Sequence, residues 1–408
     1  MNIVSIGPAR LAFSLGARAA VVTVVYLAAT GAVLGAVIAV RGLVPPAVLR
    51  GFLGFVLIAT LAAGLEPGTA KAAALGEAGA DGAGVPAYLV VGALKGLAAS
   101  PILAVLWRFS DPAVTLPTLA WTPAVAVAGF CATDLRTLFD LRGRYALAIG
   151  LKQGSLAGGV ALTGGLIALG TPLAWAVGAA SMARLALLGL RPPGTRPSGG
   201  ARDTWRQARR LLADRRWIDL AAVSVIAAAS GSTDRVFGLR YLSPAAYGGY
   251  YLVYEIFSKF WLIPYVLSPI LFARRASGDA SDGFIRGAWG LTAVAGGGFL
   301  AATAGLLLLA PALLARVIGA AFGWPILVFA AAVVVSSFAQ LRLAELQGAG
   351  RSRQAVMATG LGALVCIPLF FVAARNFGAP GLLLAWLVKS AVDLAALSWG
   401  ARLWRIPG

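Results

Sequence analysis

Five basic and two acidic side chains fall inside long apolar runs of this sequence: Lys95, Lys152, Arg184, Lys259 and Lys389, with Glu255 and Asp393. An ionisable group among hydrocarbon is costly, so such residues mark a pathway or a partner and avoid a lipid-facing surface. Counted from the nearest end of its run at roughly 1.5 Å per residue, each of Lys95, Lys259 and Lys389 lies about 13 to 18 Å deep. A water-filled lumen is the expected surrounding for those three. Lys152 and Arg184 lie nearer one membrane face, where facing the lumen and snorkelling to the interface are equally open to them. Glu255 and Lys259 are spaced i, i+4, as are Lys389 and Asp393, which permits pairing along one helix. Such a pair is either a neutralised structural element or a switch in which an anion or a proton competes for one partner.

Hydroxyls add to this set. Tyr247, Tyr251, Glu255, Ser258 and Tyr265 share one helical face, and lipid cannot satisfy their polar atoms. Tyrosines also populate interfacial belts, so Tyr247, Tyr250 and Tyr251 are open to a reading as anchors. Lys152, Ser155, Gly159 and Thr163 form a second stripe, either lumen-facing or a small-residue packing seam. A wet chamber that collects five cations and two carboxylates attracts an anion, without identifying which one.

The elements that must hold these residues are spanning helices. The chain has 408 residues, of which 60% are hydrophobic and 12% charged, and its mean hydropathy is +0.86. An ordinary soluble domain carries roughly 25% charged residues. Apolar runs of about 20 residues without strand alternation point to an all-α polytopic membrane protein and away from a barrel. Twelve spans are expected. The first six are Ala19–Val40, Ala47–Leu65, Pro86–Trp107, Ala113–Cys131, Tyr145–Leu169 and Pro172–Leu190. The others are Ile218–Leu239, Tyr247–Phe272, Ala288–Leu309, Ala320–Leu341, Ala355–Ala374 and Gly381–Gly400. Pro117 and Pro123 interrupt the fourth, a tight turn near Gly170-Thr171-Pro172 separates the fifth from the sixth, and Pro264 and Pro269 bend the eighth.

Charge orients the spans. Lys and Arg number 34 against 15 Asp and Glu, and cytoplasmic loops collect basic residues. With both termini inside, that side receives Arg10, Arg18, Lys71, Arg136, the central loop and the later basic loops, while Arg41, Arg50, Arg108, Arg235 and Arg240 are among the few on the other. The excess is thus topological, and nucleic acid is not an expected partner. Residues 191–216 divide a lobe of residues 1–190 from one of residues 217–408. The divider opens with Arg191-Pro192-Pro193-Gly194 and continues into an amphipathic stretch with Trp205, Ala208, Leu211 and Leu212 on one face and Arg206, Arg209 and Arg210 on the other. That pattern fits an interfacial helix on an anionic leaflet. Arg41–Ala47 aligns with Arg240–Ala246, each between the first and second span of its half. Six spans per lobe then relate the lobes by a pseudo-two-fold along the membrane normal. Cys131 and Cys366 read as small apolar residues, histidine is absent, and the first span serves as the insertion signal. No metal site and no cofactor are expected.

Thr233-Asp234-Arg235-Val236-Phe237-Gly238-Leu239, then Leu242-Ser243-Pro244 and Gly248-Gly249-Tyr250-Tyr251, resembles the seventh-to-eighth-span signature of polysaccharide flippases. The Pro264 to Arg274 stretch is similar to their eighth span running into a basic loop, whereas Val48-Leu49-Arg50 departs from their usual glycine after the first loop. These are the O-antigen and exopolysaccharide flippases of the multidrug/oligosaccharidyl-lipid/polysaccharide (MOP) exporter superfamily. The resemblance implies alternating-access translocation of a polyprenyl-pyrophosphate-linked oligosaccharide across a bacterial inner membrane, driven by a proton or sodium gradient. Membrane lipids and other polysaccharide assembly proteins are the implied partners, and the protein itself is expected as a monomer. In that mechanism Lys95, Lys152, Arg184, Lys259 and Lys389, with Tyr251 and Ser258, bind the anionic substrate, and Glu255, Asp393 and Asp234 couple to the ion. An ion-coupled exporter of drugs or small solutes is the alternative. The facilitator version of it expects a basic loop after the second span, where Glu66 to Gly84 offers only Lys71, and an exporter of cations expects an acidic cavity. A membrane glycosyltransferase or polymerase needs catalytic residues on a sizeable outer loop, so an enzyme is not expected. The chain contains no GxxxxGK[ST] phosphate loop for ATP-driven transport.

Overall fold

Helix starts in this chain are written by proline. Pro46, Pro86, Pro244 and Pro325 each occupy the first turn of a helix, where a missing N–H leaves no hydrogen bond unmade. Helix ends are written by glycine. Gly170 has φ +84°, and its N–H and that of Thr171 donate to Ile167 and Leu166 carbonyls at 2.9 Å each. That closes the turn expected between the fifth and sixth spans. A computed structural model describes residues 8–65, 68–75, 84–142, 144–189, 200–278, 281–312 and 322–403, which are helical with no strand among them. Arg191-Pro192-Pro193-Gly194 and Arg316 lie outside the described residues, as does residue 405.

The order is α1 Pro8–Leu43, α2 Pro46–Gly64, α3 Thr69–Leu75, α4 Val85–Ser110, α5 Leu116–Leu119, α6 Thr122–Leu141, α7 Tyr145–Ile149, α8 Ser155–Ala168 and α9 Leu173–Gly189. There follow α10 Ala201–Ala213, α11 Arg216–Tyr241, α12 Pro244–Phe257, α13 Leu262–Ala276, α14 Asp282–Leu309, α15 Pro325–Gly348, α16 Ser352–Asn376 and α17 Gly378–Leu403. A π turn, Gly150–Gly154, joins α7 to α8, and a 3₁₀ turn, Ser258–Trp261, joins α12 to α13. Among the described residues nine helices are long and apolar enough to cross a membrane by length and composition. With the joined α7–α8 pair, α9 and α11, the passes form twelve in two lobes of six. This is a multi-pass membrane protein.

Several boundaries differ from the expectation, each for a local reason. The fourth pass begins at Thr122 and ends at Leu141, because Pro117 and Pro123 each start a separate helix, the short α5 and α6. The eighth pass spans Pro244–Ala276, and its irregular turn falls one turn ahead of Pro264. Pro264 has no N–H to donate to Phe260 and its ring crowds that carbonyl. The seventh pass runs to Tyr241, so Arg235 lies within it, buried. Its expected place on the membrane face opposite the central loop is thereby corrected.

Small residues let the helices approach. A β-carbon on Gly96 of α4 would meet Val127 Cα of α6 at 2.7 Å, and one on Gly129 of α6 would meet Ala62 of α2 at the same distance. With lipid outside, close van der Waals packing of this kind holds helices together. α2 is the best-buried pass, with Phe52, Phe55 and Leu57 wholly enclosed in a core that also takes in Tyr250 and Trp386. α10 lies against α4: Ala208 packs with Ala87 and Val91, and Gln207 Oε1 accepts the Gly84 N–H at 2.9 Å. Its Arg202, Arg206, Arg209 and Arg210 remain exposed beside an exposed Trp205.

Candidate functional site

Between α2, α3 and α6 of the first lobe and α11, α12, α13, α15, α16 and α17 of the second lies a chamber. Its inner part has a volume of about 440 Å³. A neighbouring compartment of about 190 Å³ shares Lys71, Gln340, Leu343 and Gln347 with it and extends toward the linker-side ends of α6 and α15. Four basic side chains line the two parts, Lys71, Arg136, Arg235 and Lys389, against two carboxylates, Asp140 and Asp393. Arg136 Nε holds Asp140 at 3.0 Å, and its guanidinium lies 3.8 Å from the Tyr265 ring centroid. Lys389 Nζ holds Asp393 at 2.5 Å. Lys71 bridges the lobes, donating to Gln347 Oε1 at 3.2 Å.

Arg235 is placed by α11. Residues on one face of that helix, Ser224, Ala228, Gly231 and Arg235, follow at helical spacing and all line the chamber. The guanidinium donates to Ser232 Oγ at 2.8 Å and to the Gly231 carbonyl at 3.2 Å, with the Tyr254 ring centroid 4.6 Å away. Beside it, wholly buried Asp234 accepts from the Tyr250 hydroxyl and, at 3.0 Å, from Trp386 Nε1. This one carboxylate ties α11 to α12 and α17. Tyr254, Trp261 and Trp386 form a ring cluster at the inner end, with centroids 5.6 to 5.9 Å apart.

On the face away from the linker the lobes meet directly. Arg50 at the start of α2 donates to the Leu239 carbonyl, and at 3.3 Å to that of Arg240, at the end of α11. Its Nε lies 3.7 Å from Asp111. Arg240 opens the second of the two aligned segments, whereas Arg50 lies three residues past the end of the first, Arg41–Ala47, in the opening turns of α2.

The expected site residues separate into two groups. Lys389 and Asp393 line the chamber. Lys95 lies outside its lining, donating to Thr69 Oγ1 at 2.6 Å under the Trp217 ring. Lys152 is buried on the π turn, and Arg184 is buried on α9 with its stem against Gly159 of α8. Lys259 pairs with Glu255 at 2.6 Å on the α12–α13 turn. Ser258 donates to the Glu255 carbonyl at 3.3 Å, and Tyr251 packs its ring 6.3 Å from that of Tyr247. Asp234 sits behind the lining.

Sequence reasoning passed over Arg235, Lys71 and Arg136 as lining residues, having assigned them to membrane faces. The signal for Arg235 was present, since Ser224, Ala228 and Gly231 precede it on one helical face. Lys71 carried none, because it lies on the short helix α3 inside what reads as a loop.

No family model matches the chain, and no curated protein matches it. Solved structures do. An outward-facing multidrug resistance MATE transporter of the MOP superfamily superposes with a TM-score of 0.61 at 16% identity, covering 94% of each chain. A MATE transporter of Vibrio cholerae gives 0.61 at 14% identity over 94% of this chain and 97% of that one. A MOP superfamily transporter of Pyrococcus furiosus gives 0.62 at 17% identity over 95% and 94%. That last protein is described as having a binding pocket of reversed polarity that suggests a different function. These are likenesses of fold: twelve helices in two lobes, over nearly the full length.

Proposed function

We propose that this protein is an alternating-access exporter of the MOP type that carries an organic anion, with a small molecule as its cargo class. The observation that carries the reading is the basic lining of the chamber, where Lys71, Arg136, Arg235 and Lys389 outnumber Asp140 and Asp393. A low-dielectric chamber of that balance raises the local concentration of anions and repels cations. Small-molecule export is favoured by the multidrug transporters that share the fold over nearly its whole length. A chamber reaching one membrane face, with the lobes latched at Arg50 on the other, suits a cycle in which the lobes rock about bound cargo.

A second cargo, the polyprenyl-pyrophosphate-linked oligosaccharide of polysaccharide export, rests on the same basic lining and on the Asp234-Arg235 signature. On that reading, polysaccharide assembly proteins are its partners. In either case we propose that the linker side lies in the cytoplasm of a bacterial inner membrane, a reading supported by the exposed arginines of α10, and that the chain acts as a monomer without a cofactor. A proton or sodium gradient supplies the drive, with Asp393 its candidate carboxylate within the chamber and Asp234 and Glu255 behind the lining.

The experiment is transport by the full chain in proteoliposomes, with an anionic and a cationic fluorescent solute and a pyrophosphate-linked lipid oligosaccharide offered in turn. Faster movement of the anion, abolished by Arg235→Gln and Lys389→Gln, is the expected result. Preference for the cation sinks the reading, and movement of the lipid-linked glycan alone transfers it to the second cargo.

A further inference from the structure

The inner end of the chamber combines two kinds of recognition that a plain anion does not need. Arg235 and Lys389 supply positive charge, and Tyr254, Trp261 and Trp386 supply three ring faces within 5.6 to 5.9 Å of one another. Each cation lies near one of those rings: Arg235 is 4.6 Å from the Tyr254 centroid and Lys389 is 5.2 Å from that of Trp386. Charge and ring surface therefore occur together, as a ligand carrying an anionic group next to a ring would require.

The hydrogen-bonding balance of the lining points the same way. Ser230 Oγ, Arg235 Nε and Trp261 Nε1 are buried lining donors that make no hydrogen bond among the described residues. One oxygen of each nearby carboxylate is already engaged: Asp234 Oδ2 by Tyr250 and Trp386, and Asp393 Oδ2 by Lys389. Asp234 Oδ1 lies 3.9 Å from Arg235 Nε, behind the lining. Surplus buried donors favour a ligand rich in acceptor oxygens. Burial orders the guanidinium before binding, because Ser232 and Gly231 already hold two of its hydrogen-bond directions.

We infer that the inner end of the chamber is a binding site for a phosphoryl or similar oxyanion borne directly on a ring, with Arg235 and Lys389 taking the oxyanion and Trp261, Trp386 and Tyr254 taking the ring face. This rests on the anion-exporter reading and narrows its cargo. The ring has two sources, an aromatic nucleus or the apolar face of a sugar, and both stack on indole.

The test is calorimetric titration of the purified full chain in lipid nanodiscs with phenyl phosphate, glucose 1-phosphate and inorganic phosphate. One or both ring-bearing phosphates binds about tenfold more tightly than inorganic phosphate, the size of effect that ring contact supplies. Trp261→Leu removes that advantage and leaves inorganic phosphate binding in place. Arg235→Gln weakens all three ligands, and Arg235→Lys, which keeps charge but not the fork, recovers part of the loss. Arg286→Ala, on the exposed start of α14, changes nothing. Phenyl phosphate alone gaining the advantage assigns an aromatic ring, and glucose 1-phosphate alone assigns a sugar.

Equal binding of all three phosphates overturns the inference, as does unaltered binding by Trp261→Leu protein whose melting temperature matches the parent. Should Arg235→Gln fail to fold, Lys389→Gln and Arg235→Lys carry the charge arm, and undiminished affinity in both is equally fatal. Anion transport in proteoliposomes without ring preference defeats this inference and leaves the exporter reading standing. Ring-dependent binding with no transport of any solute does the reverse.

Discussion

Asp234 shows what one buried carboxylate does in this molecule. It accepts from Tyr250 and Trp386 and neighbours Arg235, so removing it strands two donors and a guanidinium in the same low-dielectric space. Asp234→Ala is expected to destabilise the protein by about 3 kcal/mol, the scale set for breaking a buried charged pair. Asp234→Asn keeps one acceptor oxygen and loses less. Thermal melting in detergent checks the order, and a larger loss for the asparagine variant refutes the account. Gly159 and Arg184 form a second residue-scale pair, because a β-carbon on Gly159 would lie 2.5 Å from Arg184 Cδ. Gly159→Ala therefore costs about 1 to 3 kcal/mol through overpacking. That cost shrinks in an Arg184→Ala background, since the two changes share one space. Additive losses in the double variant contradict the packing reading.

At the scale of elements, the α12–α13 pass matters most because it is broken. Its 3₁₀ turn at Ser258–Trp261 places Trp261 and Tyr254 at the chamber and Tyr265 against Tyr26 and Arg136. Pro264→Ala restores an N–H that can reach the Phe260 carbonyl and straightens the pass. Transport is expected to fall while the melting temperature holds or rises, because the ring cluster and Tyr265 then no longer sit on the faces that use them. A transport rate equal to the parent's, with a demonstrably straightened helix, dismisses the turn as incidental. Some of this element was legible: the prolines announced a bend, and Tyr247, Tyr251 and Glu255 announced a face that avoids lipid. The position of the turn was not, since proline disturbs the turn preceding it and helical phase counted through the break drifts.

For the whole molecule, the decisive feature is that the lobes close on each other directly at Arg50 on one face, while toward the other they enclose the chamber and are bridged across it by Lys71 and Gln347. Arg50 fastens α2 to the end of α11. Arg50→Ala is expected to loosen that face. The readout is a thiol at Ser110, buried at the end of α4, introduced as Ser110→Cys and labelled by a membrane-impermeant maleimide. Labelling several-fold faster in the Arg50→Ala background is the expected outcome, and unchanged labelling places the closure elsewhere, in the packing of Phe55, Trp107 and Tyr247.

Composition, run length and basic loops by themselves determined a helical membrane protein of about twelve passes in two halves, because hydrocarbon imposes those features on any chain that crosses it. The buried charges were legible on the same ground: a lysine such as Lys389 in an apolar run must find protein or water. Which protein surface it finds is another matter. Lys95, Lys152, Arg184 and Lys389 satisfy lipid avoidance equally, yet three of them settle outside the chamber lining and one in it. Lys71, from an apparent loop, joins Lys389, and Arg235, counted as a surface charge, supplies the fork at the inner end. That allocation belongs to tertiary structure, because a helix in a bundle has several faces hidden from lipid, and only the arrangement of neighbours selects the one that faces the chamber.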